Sequence, residues 1–192
     1  DAGLGHRLDQ LQRNPCFRGV LHSVLYEEDE PWLERLNVHE GLSEIARRGL
    51  PVDLLLRPQH LKQIHELADA SPALQLILDH LGTSAVERDG FDSWAGEMER
   101  LSEVPHLSVK ISGLIAHAES KTRLARHLRP CVQHVWHLFG PDRCLFGSGW
   151  PVLQDAGTWK QALATFTQAL GPLSKELRAG VIGVNAARVY RL

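Results

Sequence analysis

Cysteine is scarce in this sequence, and the cysteines that are present do not form close pairs. The 192 residues include three, an odd number that is spread along the chain: Cys16, Cys131 and Cys144. This pattern argues against a disulfide framework and against a structural zinc knuckle. Residues 1–11 carry charged side chains and none of the apolar core of a secretory signal, so we expect a protein of the reducing cytoplasm.

The sequence also lacks a strong charge of either sign and any long hydrophobic stretch. Charged residues make up 23% of the chain and the formal net charge is −2, so no large one-signed field is available to hold nucleic acid or an anionic membrane surface. Apolar segments such as residues 52–56 and 74–78 are far shorter than the roughly 20 residues of a membrane helix. We therefore expect neither a nucleic-acid partner nor a membrane partner.

What the sequence does contain is an alternation of short apolar segments and longer segments of helical period. Five apolar segments have strand length: residues 17–24, 51–56, 74–80, 107–114 and 143–148. Periodicity predicts helices over residues 33–48, 61–70, 94–101, 121–139, 158–170 and 174–192. This order is typical of βαβ units around a parallel sheet, and with 43% hydrophobic residues we expect one α/β domain over residues 1–192.

The number of predicted strands leaves two architectures open. Five parallel strands are too few for a closed (β/α)8 barrel of about 250 residues, and a helix-like segment at residues 6–13 has no strand before it. The chain is therefore either a five-stranded doubly wound fold or a barrel without its first three strands. In the second case the two outer strands are unpaired edges that favour association, so we expect a homo-oligomer.

Candidate functional residues lie at the carboxyl ends of the predicted strands, where parallel α/β folds carry their chemistry. His22 lies near the end of the first segment, Asp79 and His80 end the third, Ser112 lies near the end of the fourth, and the fifth leads through a turn to Trp150. Histidine can act as an acid, a base or a metal ligand at neutral pH. His80 beside Asp79 is therefore the best single candidate for a catalytic residue.

Each of these residues also has a structural interpretation. A histidine at a strand end is more often a hydrogen-bonded structural residue, Asp79 could cap the loop that follows it, and Ser112 could belong to a tight turn. Lys110 alternates with apolar neighbours, so it could lie on the helix-facing side with its ammonium group in solvent. His134 and His137 have the spacing of a chelating pair, but no third ligand is in view.

Seven segments of this sequence, in this order, resemble the amidohydrolase-related family 2 proteins. The resemblance is to the branch of L-fuconolactonase-like and dicarboxylate-lactonase-like hydrolases, and it spans essentially the whole chain. The segments are Phe17-Arg18-Gly19-Val20, Val52-Asp53-Leu54-Leu55, Leu78-Asp79-His80-Leu81-Gly82, Lys110-Ile111-Ser112-Gly113-Leu114, Phe139-Gly140-Pro141-Asp142-Arg143, Phe146-Gly147-Ser148 with Trp150-Pro151-Val152, and Gly183-Val184-Asn185-Ala186-Ala187-Arg188-Val189-Tyr190.

The resemblance implies a fold and an activity. The fold would be a partial (β/α)8 TIM barrel of the metallo-dependent-hydrolase type, with the five strands as its fourth to eighth. The activity would be hydrolysis of a small-molecule lactone by water attack on the ester carbonyl. In this frame His80 matches a catalytic sixth-strand histidine, while His22, Ser112 and Trp150 match substrate-binding positions. Some members work without metal, and we expect neither a metal ion nor another cofactor here.

The sequence departs from the family pattern at two positions. Members carry an aspartate, the general base, where this chain has Gly149, and usually an arginine where it has Leu21. A general base contributes about 10²- to 10⁴-fold and a fixed electrostatic donor about 10²- to 10³-fold. Two hypotheses therefore remain: an impaired hydrolase, or a descendant that binds a ligand or serves as a scaffold without catalysis.

Overall fold

The core of the structure is one sheet of five parallel strands in sequence order. The computed structural model describes residues 3–27, 31–83, 90–114, 128–155 and 157–192. The strands are β1 (Val20–Ser23), β2 (Val52–Leu55), β3 (Leu76–Leu78), β4 (Leu107–Ile111) and β5 (Cys144–Phe146), each paired in parallel with the next. The predicted strand order and direction are confirmed, and the observed strands are shorter than the apolar segments.

The two faces of the sheet have different environments. Val52, Leu76 and Leu107 are neighbours in register and belong to the main hydrophobic core, so this face packs against the helices. Side chains alternate along a strand, which places Ile77 on the opposite face, where it is buried outside that core. We call this opposite surface the inner face.

Helices precede, separate and follow the strands, and those between the strands cover the outer face. They are α1 (Leu4–Gln12), α2 (Leu36–Arg47), α3 (Leu61–Ala70), α4 (Phe91–Ser102), α5 (Arg129–Arg143), α6 (Trp159–Leu170), α7 (Lys175–Ala179) and α8 (Asn185–Tyr190). A capping box in which the Thr158 side chain accepts from the backbone of Gln161 starts α6. The first third of the helix predicted over residues 121–139 lies outside the described residues. No helix in the described part of the chain has the length and apolarity needed to cross a bilayer.

The end of the chain differs from the helix predicted over residues 174–192. A single π-helical turn, Gly180–Val184, joins α7 to α8, and the turn shifts the helical phase. Val181 is fully buried, as expected, whereas Leu177 is 39% and Val184 is 62% exposed. One regular helix over residues 174–192 is expected to pack Leu177, Val181 and Val184 against the sheet. This expectation is wrong for Leu177 and Val184, because the π-helical turn interrupts the regular period.

Candidate functional site

His80 and Ser112 meet at the carboxyl ends of two adjacent strands. His80 follows β3 and Ser112 follows β4, and the Nδ1 atom of the imidazole lies 2.7 Å from the Ser112 hydroxyl. The backbone N–H of His80 donates to the same oxygen at 3.3 Å. Ser112 is buried, so the imidazole is held by a side chain that is itself fixed.

Two tautomers of His80 satisfy this contact, and each has its own chemistry. If Ser112 donates its hydroxyl proton to Nδ1, a neutral imidazole carries its proton on Nε2 and can donate it to a substrate oxygen. If Nδ1–H donates to Ser112, Nε2 carries a lone pair and can accept a proton from water. The pair can therefore supply either a donor or a base at the Nε2 atom.

A left-handed turn places the His80 ring on Ser112. His80, Leu81 and Gly82 have φ values of 51°, 59° and 71°, and each non-glycine residue in this region costs about 1–2 kcal/mol. The turn is held by three hydrogen bonds: Asp79 N–H donates to Leu54 O, Gly82 N–H to Asp79 O, and the Trp94 indole to Leu81 O. The packing around the turn thus maintains a conformation that the sequence disfavours locally.

Two glycines make room for the pair. A Cβ on Gly113 would lie 3.1 Å from His80 Nδ1, and a Cβ on Gly147 would lie 2.8 Å from the Cβ of Ser112 and 3.1 Å from Cδ of Lys110. The imidazole therefore packs directly on the Gly113 backbone. Ser112 and Lys110 lie side by side on the inner face, against Gly147 of the next strand.

Next to the pair, on the inner face and toward the amino ends of the strands, is a charged cluster formed by Asp53, Asp79, Lys110 and Tyr190. We call it the inner cluster. Lys110 Nζ donates to Asp53 Oδ1 at 2.6 Å and lies 2.7 Å from Asp79 Oδ1 in an ion pair without hydrogen-bond alignment. The Tyr190 hydroxyl donates to Asp53 Oδ1 at 2.6 Å. The cluster joins β2, β3, β4 and α8.

The cluster corrects one interpretation and adds residues that the sequence analysis missed. Lys110 is on the inner face and only 21% exposed, not on the helix-facing side with its ammonium group in solvent. Asp53 and Tyr190 were not among the candidates. The available signal was one acidic and one basic residue inside two otherwise apolar strands, since such charges are rarely buried without a partner.

The environment raises the pKa values of Asp53, Lys110 and Tyr190. Burial raises the pKa of Asp53, and the Lys110 ammonium with its hydrogen bond opposes that rise. Burial lowers the pKa of Lys110, but the carboxylates of Asp79 and Asp53 outweigh it and raise the pKa above its ordinary 10.5. The pKa of Tyr190 is raised above 10.0, first by burial and then by the Asp53 charge. At neutral pH the lysine is charged and the phenol keeps its proton.

The free energy of unfolding is expected to fall as the pH rises above about 10. The unfolded chain releases the Lys110 and Tyr190 protons at their ordinary pKa values, whereas the folded chain retains them. The contribution of each retained proton to the free energy of unfolding is complete below the pKa of the unfolded chain. It is lost as the pH rises toward the higher pKa of the folded chain, by up to about 1.4 kcal/mol per pH unit for each proton. Buried Cys131 and Cys144 thiols, whose pKa burial raises to about 12, add to the same loss.

Urea unfolding between pH 7 and 11.5 measures this loss, and two tyrosine variants separate its sources. Tyr190→Phe should lessen the pH dependence because it removes one of the retained protons. Tyr26→Phe is the matched control, since Tyr26 is 85% exposed, and it should keep the slope of the parent chain. An identical slope in Tyr190→Phe and the parent would contradict the role given to the phenol.

The other candidates at the end of β1 lie on different faces. Leu21 is the register partner of Asp53, so it lies on the inner face, and it is 58% exposed. The side chain of His22, the next residue, lies on the outer face. Its ring stacks on Trp32 with the ring centroids 4.1 Å apart, and its Nε2 atom lies 3.0 Å from Glu27 Oε1. The structure thus brings His80 and Ser112 together, and it gives His22 a different set of contacts.

Gly149 and Trp150 follow the end of β5. Gly149 has a φ of 80°, and the Trp150–Pro151 peptide bond is cis. The Trp150 N–H donates to the Ser148 hydroxyl at 3.2 Å, and the indole is 66% exposed. Within the described ranges the Trp150 side chain makes no hydrogen bond or ring contact, so it remains accessible beside the carboxyl edge of the sheet.

Comparison with known proteins gives one family and a consistent set of relatives. A family model described as amidohydrolase (Amidohydro_2) matches residues 7–192. An L-fucono-1,5-lactonase of Burkholderia ambifaria is 30% identical over 192 residues, which is 95% of this chain. The chain spans 64% of the length of that lactonase.

Solved structures of an amidohydrolase from Burkholderia multivorans are similar along the whole chain. One contains bound HEPES and has a TM-score of 0.90, and the other contains bound zinc and has a TM-score of 0.89. Both are 26% identical, and the match covers 100% of this chain and 70% of theirs. The fold is therefore a partial (β/α)8 barrel with five parallel strands in the described residues.

The described residues do not by themselves fit a zinc ion. Zinc in proteins takes at least three His, Cys, Asp or Glu ligands around one point. Across residues 3–27, 31–83, 90–114, 128–155 and 157–192, no group of three such side chains is close enough to hold a metal ion. His80 lies instead against a hydroxyl, and the two inner carboxylates contact an ammonium group.

Proposed function

Since this chain belongs to the amidohydrolase family, we propose that it binds a lactone of a sugar acid, or a carboxylated lactone, and opens the ring by hydrolysis. The observation that carries the proposal is the 2.7 Å contact between His80 and Ser112, at the strand ends where barrels of this kind carry their chemistry. The relative named L-fucono-1,5-lactonase supports the class of substrate.

The reaction adds water to a cyclic ester. The oxygen of water forms a bond with the carbonyl carbon, the bond between that carbon and the ring oxygen breaks, and the ring oxygen leaves as a hydroxyl group. Water supplies the proton that the ring oxygen takes up, and the acid that forms releases a proton at neutral pH. His80 would either donate from Nε2–H to the carbonyl oxygen or accept a proton from the attacking water, and Ser112 fixes the direction of its ring.

The proposed hydrolysis is slow in this chain because position 149 is a glycine. In members of the family that the chain resembles, the corresponding position carries the carboxylate that takes the proton from water. A positioned general base contributes about 10²- to 10⁴-fold. In this chain the His80 tautomer with a lone pair on Nε2 can accept that proton instead.

The glycine at position 149 also favours a second candidate function. A chain without the general base could bind a lactone or its open acid at the same edge and release it unchanged. Exposed Trp150 and Leu21 then serve as apolar contact surface for the ligand. The two candidates differ in turnover and agree on the place of binding.

Turnover is measured by proton release at pH 7 to 8 on a panel of neutral and carboxylated lactones, with the protein purified together with any sequence that precedes Asp1 in its gene. We expect slow hydrolysis of at least one lactone, which His80→Gln lowers about 10²-fold. His65→Gln is the matched control, because His65 lies on α3, is 44% exposed and pairs with Asp69. It should keep the parent rate.

Three outcomes are informative. Hydrolysis that depends on His80 and not on His65 supports the proposal. Saturable lactone binding without turnover favours the second candidate. Background rates and no binding across the whole panel would rule out both.

A further inference from the structure

The charged inner cluster is connected to the His80–Ser112 pair through two strands. Asp79 directly follows β3 and precedes His80, and Lys110 lies on β4 two residues before Ser112. Both Lys110 and Ser112 contact the space that a Gly147 side chain would occupy, at 3.1 Å and 2.8 Å. The Lys110–Asp79 ion pair therefore spans the same two strands that hold the pair, one layer below it.

Ordinary stability does not account for such a cluster. Replacing a buried ion pair by well-packed apolar side chains is often neutral or stabilising, and here two carboxylates share one ammonium group. The cluster carries a formal charge of −1 with its phenol neutral, since Asp53 and Asp79 contribute −2 and Lys110 +1. An ion-pair cluster that apolar side chains could replace at little cost in stability is explained better by what it positions.

The residue most in need of positioning is His80. Its φ of 51° and the φ of 59° at Leu81 are both left-handed, a local cost of about 1–2 kcal/mol each. The Asp79 backbone is held by Leu54 O and Gly82 N–H, and its carboxylate is held by Lys110. Without Lys110, the Asp79 carboxylate would lose its ion pair, and the residue directly before the left-handed turn would be held by its backbone alone.

We propose that Lys110 is a positioning residue for His80. Its ammonium group, fixed from below by Asp53 and Tyr190, anchors the Asp79 carboxylate and so keeps the left-handed turn that aligns the imidazole with Ser112. Lys110 would in this way serve the proposed hydrolysis, on which the role rests, but its effect on the His80 ring can be measured without substrate. It is distinct from a role in contact with substrate, because Lys110 acts through Asp79.

The test reads the His80 ring by ¹⁵N nuclear magnetic resonance in the unliganded protein. Lys110→Met keeps the length and most of the apolar stem of the side chain and removes the charge. We expect its His80 Nδ1 and Nε2 resonances to move toward the values of a ring exchanging freely between tautomers. Tyr190→Phe removes only the hydrogen bond on Asp53, so it should move the same resonances less and in the same direction.

Arg48→Met is the matched control for general destabilisation. Arg48 also pairs with two carboxylates, Asp9 at 2.6 Å and Glu44 at 2.7 Å, but on α1 and α2. Its loss should lower stability without moving the His80 resonances. In an active preparation, Lys110→Met should lower kcat about 10²-fold, the effect of a misplacement of about 1 Å, with a smaller change in KM.

The result that overturns the inference is an unchanged His80 spectrum in folded Lys110→Met, or an equal change in Arg48→Met. If Lys110→Met does not fold, Tyr190→Phe decides by the same spectrum, because it retains every charge of the cluster. The spectrum is recorded without lactone, so this result stands apart from the outcome of the hydrolysis assay.

Discussion

Replacing Gly149 by aspartate is expected to raise the rate of lactone ring opening by about 10²- to 10⁴-fold, the contribution of a positioned general base. The new carboxylate would follow β5 at the carboxyl edge of the sheet, on the same edge as His80. It would accept the proton of the attacking water, and the Nε2 atom of His80 could then donate to the carbonyl oxygen.

The backbone at position 149 permits this substitution at moderate cost. Its φ of 80° favours glycine, but aspartate and asparagine are the side chains that tolerate left-handed values best. Gly149→Asn is therefore the matched control, since it has the same shape and the same backbone cost without a base. Initial rates of both variants across the lactone panel show whether a carboxylate at position 149 acts as the general base. Equal rates in the two variants would contradict the role given to this position.

Introducing an arginine at position 21 is expected to add about 10²- to 10³-fold to the Gly149→Asp variant, the contribution of a fixed donor at a developing negative charge. Leu21 lies on the inner face beside Asp53 and is 58% exposed. A guanidinium group there would also offset the formal charge of −1 of the inner cluster. The combined variant should exceed either single change, because such residues act together on one transition state.

The substrate panel separates the two ways in which this arginine can act. A gain confined to carboxylated lactones means that the guanidinium group binds the substrate carboxylate, whereas a gain on neutral lactones as well means that it binds the ester oxygen. Leu21→Gln in the same background is the control for a polar side chain without charge. Equal rates for the glutamine and arginine variants would show that the positive charge at position 21 does not contribute to the rate.

The sequence is sufficient to predict the sheet of this fold. The apolar segments that contain β2, β3 and β4 are covered on both faces, and a parallel strand with that burial has a nearly continuous apolar sequence. The order and direction of the strands follow from the helices between them. The phase of the last helical segment could not be predicted, because the π-helical turn at Gly180–Val184 adds a residue to the period without a sequence signal.

Only those site residues could be predicted whose place follows from their position at the end of a strand. His80 and Ser112 end neighbouring strands, so parallel pairing brings their backbones to one edge. Strand alternation alone would have turned His80 away from Ser112. The left-handed turn that reverses this depends on hydrogen bonds from the Trp94 indole to Leu81 O and from Asp79 N–H to Leu54 O. Tyr190 joins Asp53 across 137 positions of sequence, a contact that no local pattern encodes.

A titration of the unmodified protein with lactones, followed by backbone and histidine side-chain resonances, tests most directly whether the carboxyl edge of the sheet is the functional site. We predict saturable shifts at His80, Ser112 and Gly113, with further shifts at Gly149 and Trp150, for at least one neutral or carboxylated lactone. His65 and the helix Lys175–Ala179 should not respond. Shifts confined to regions away from the carboxyl edge of the sheet, or no shifts with any lactone, would contradict the claim that this edge is the functional site.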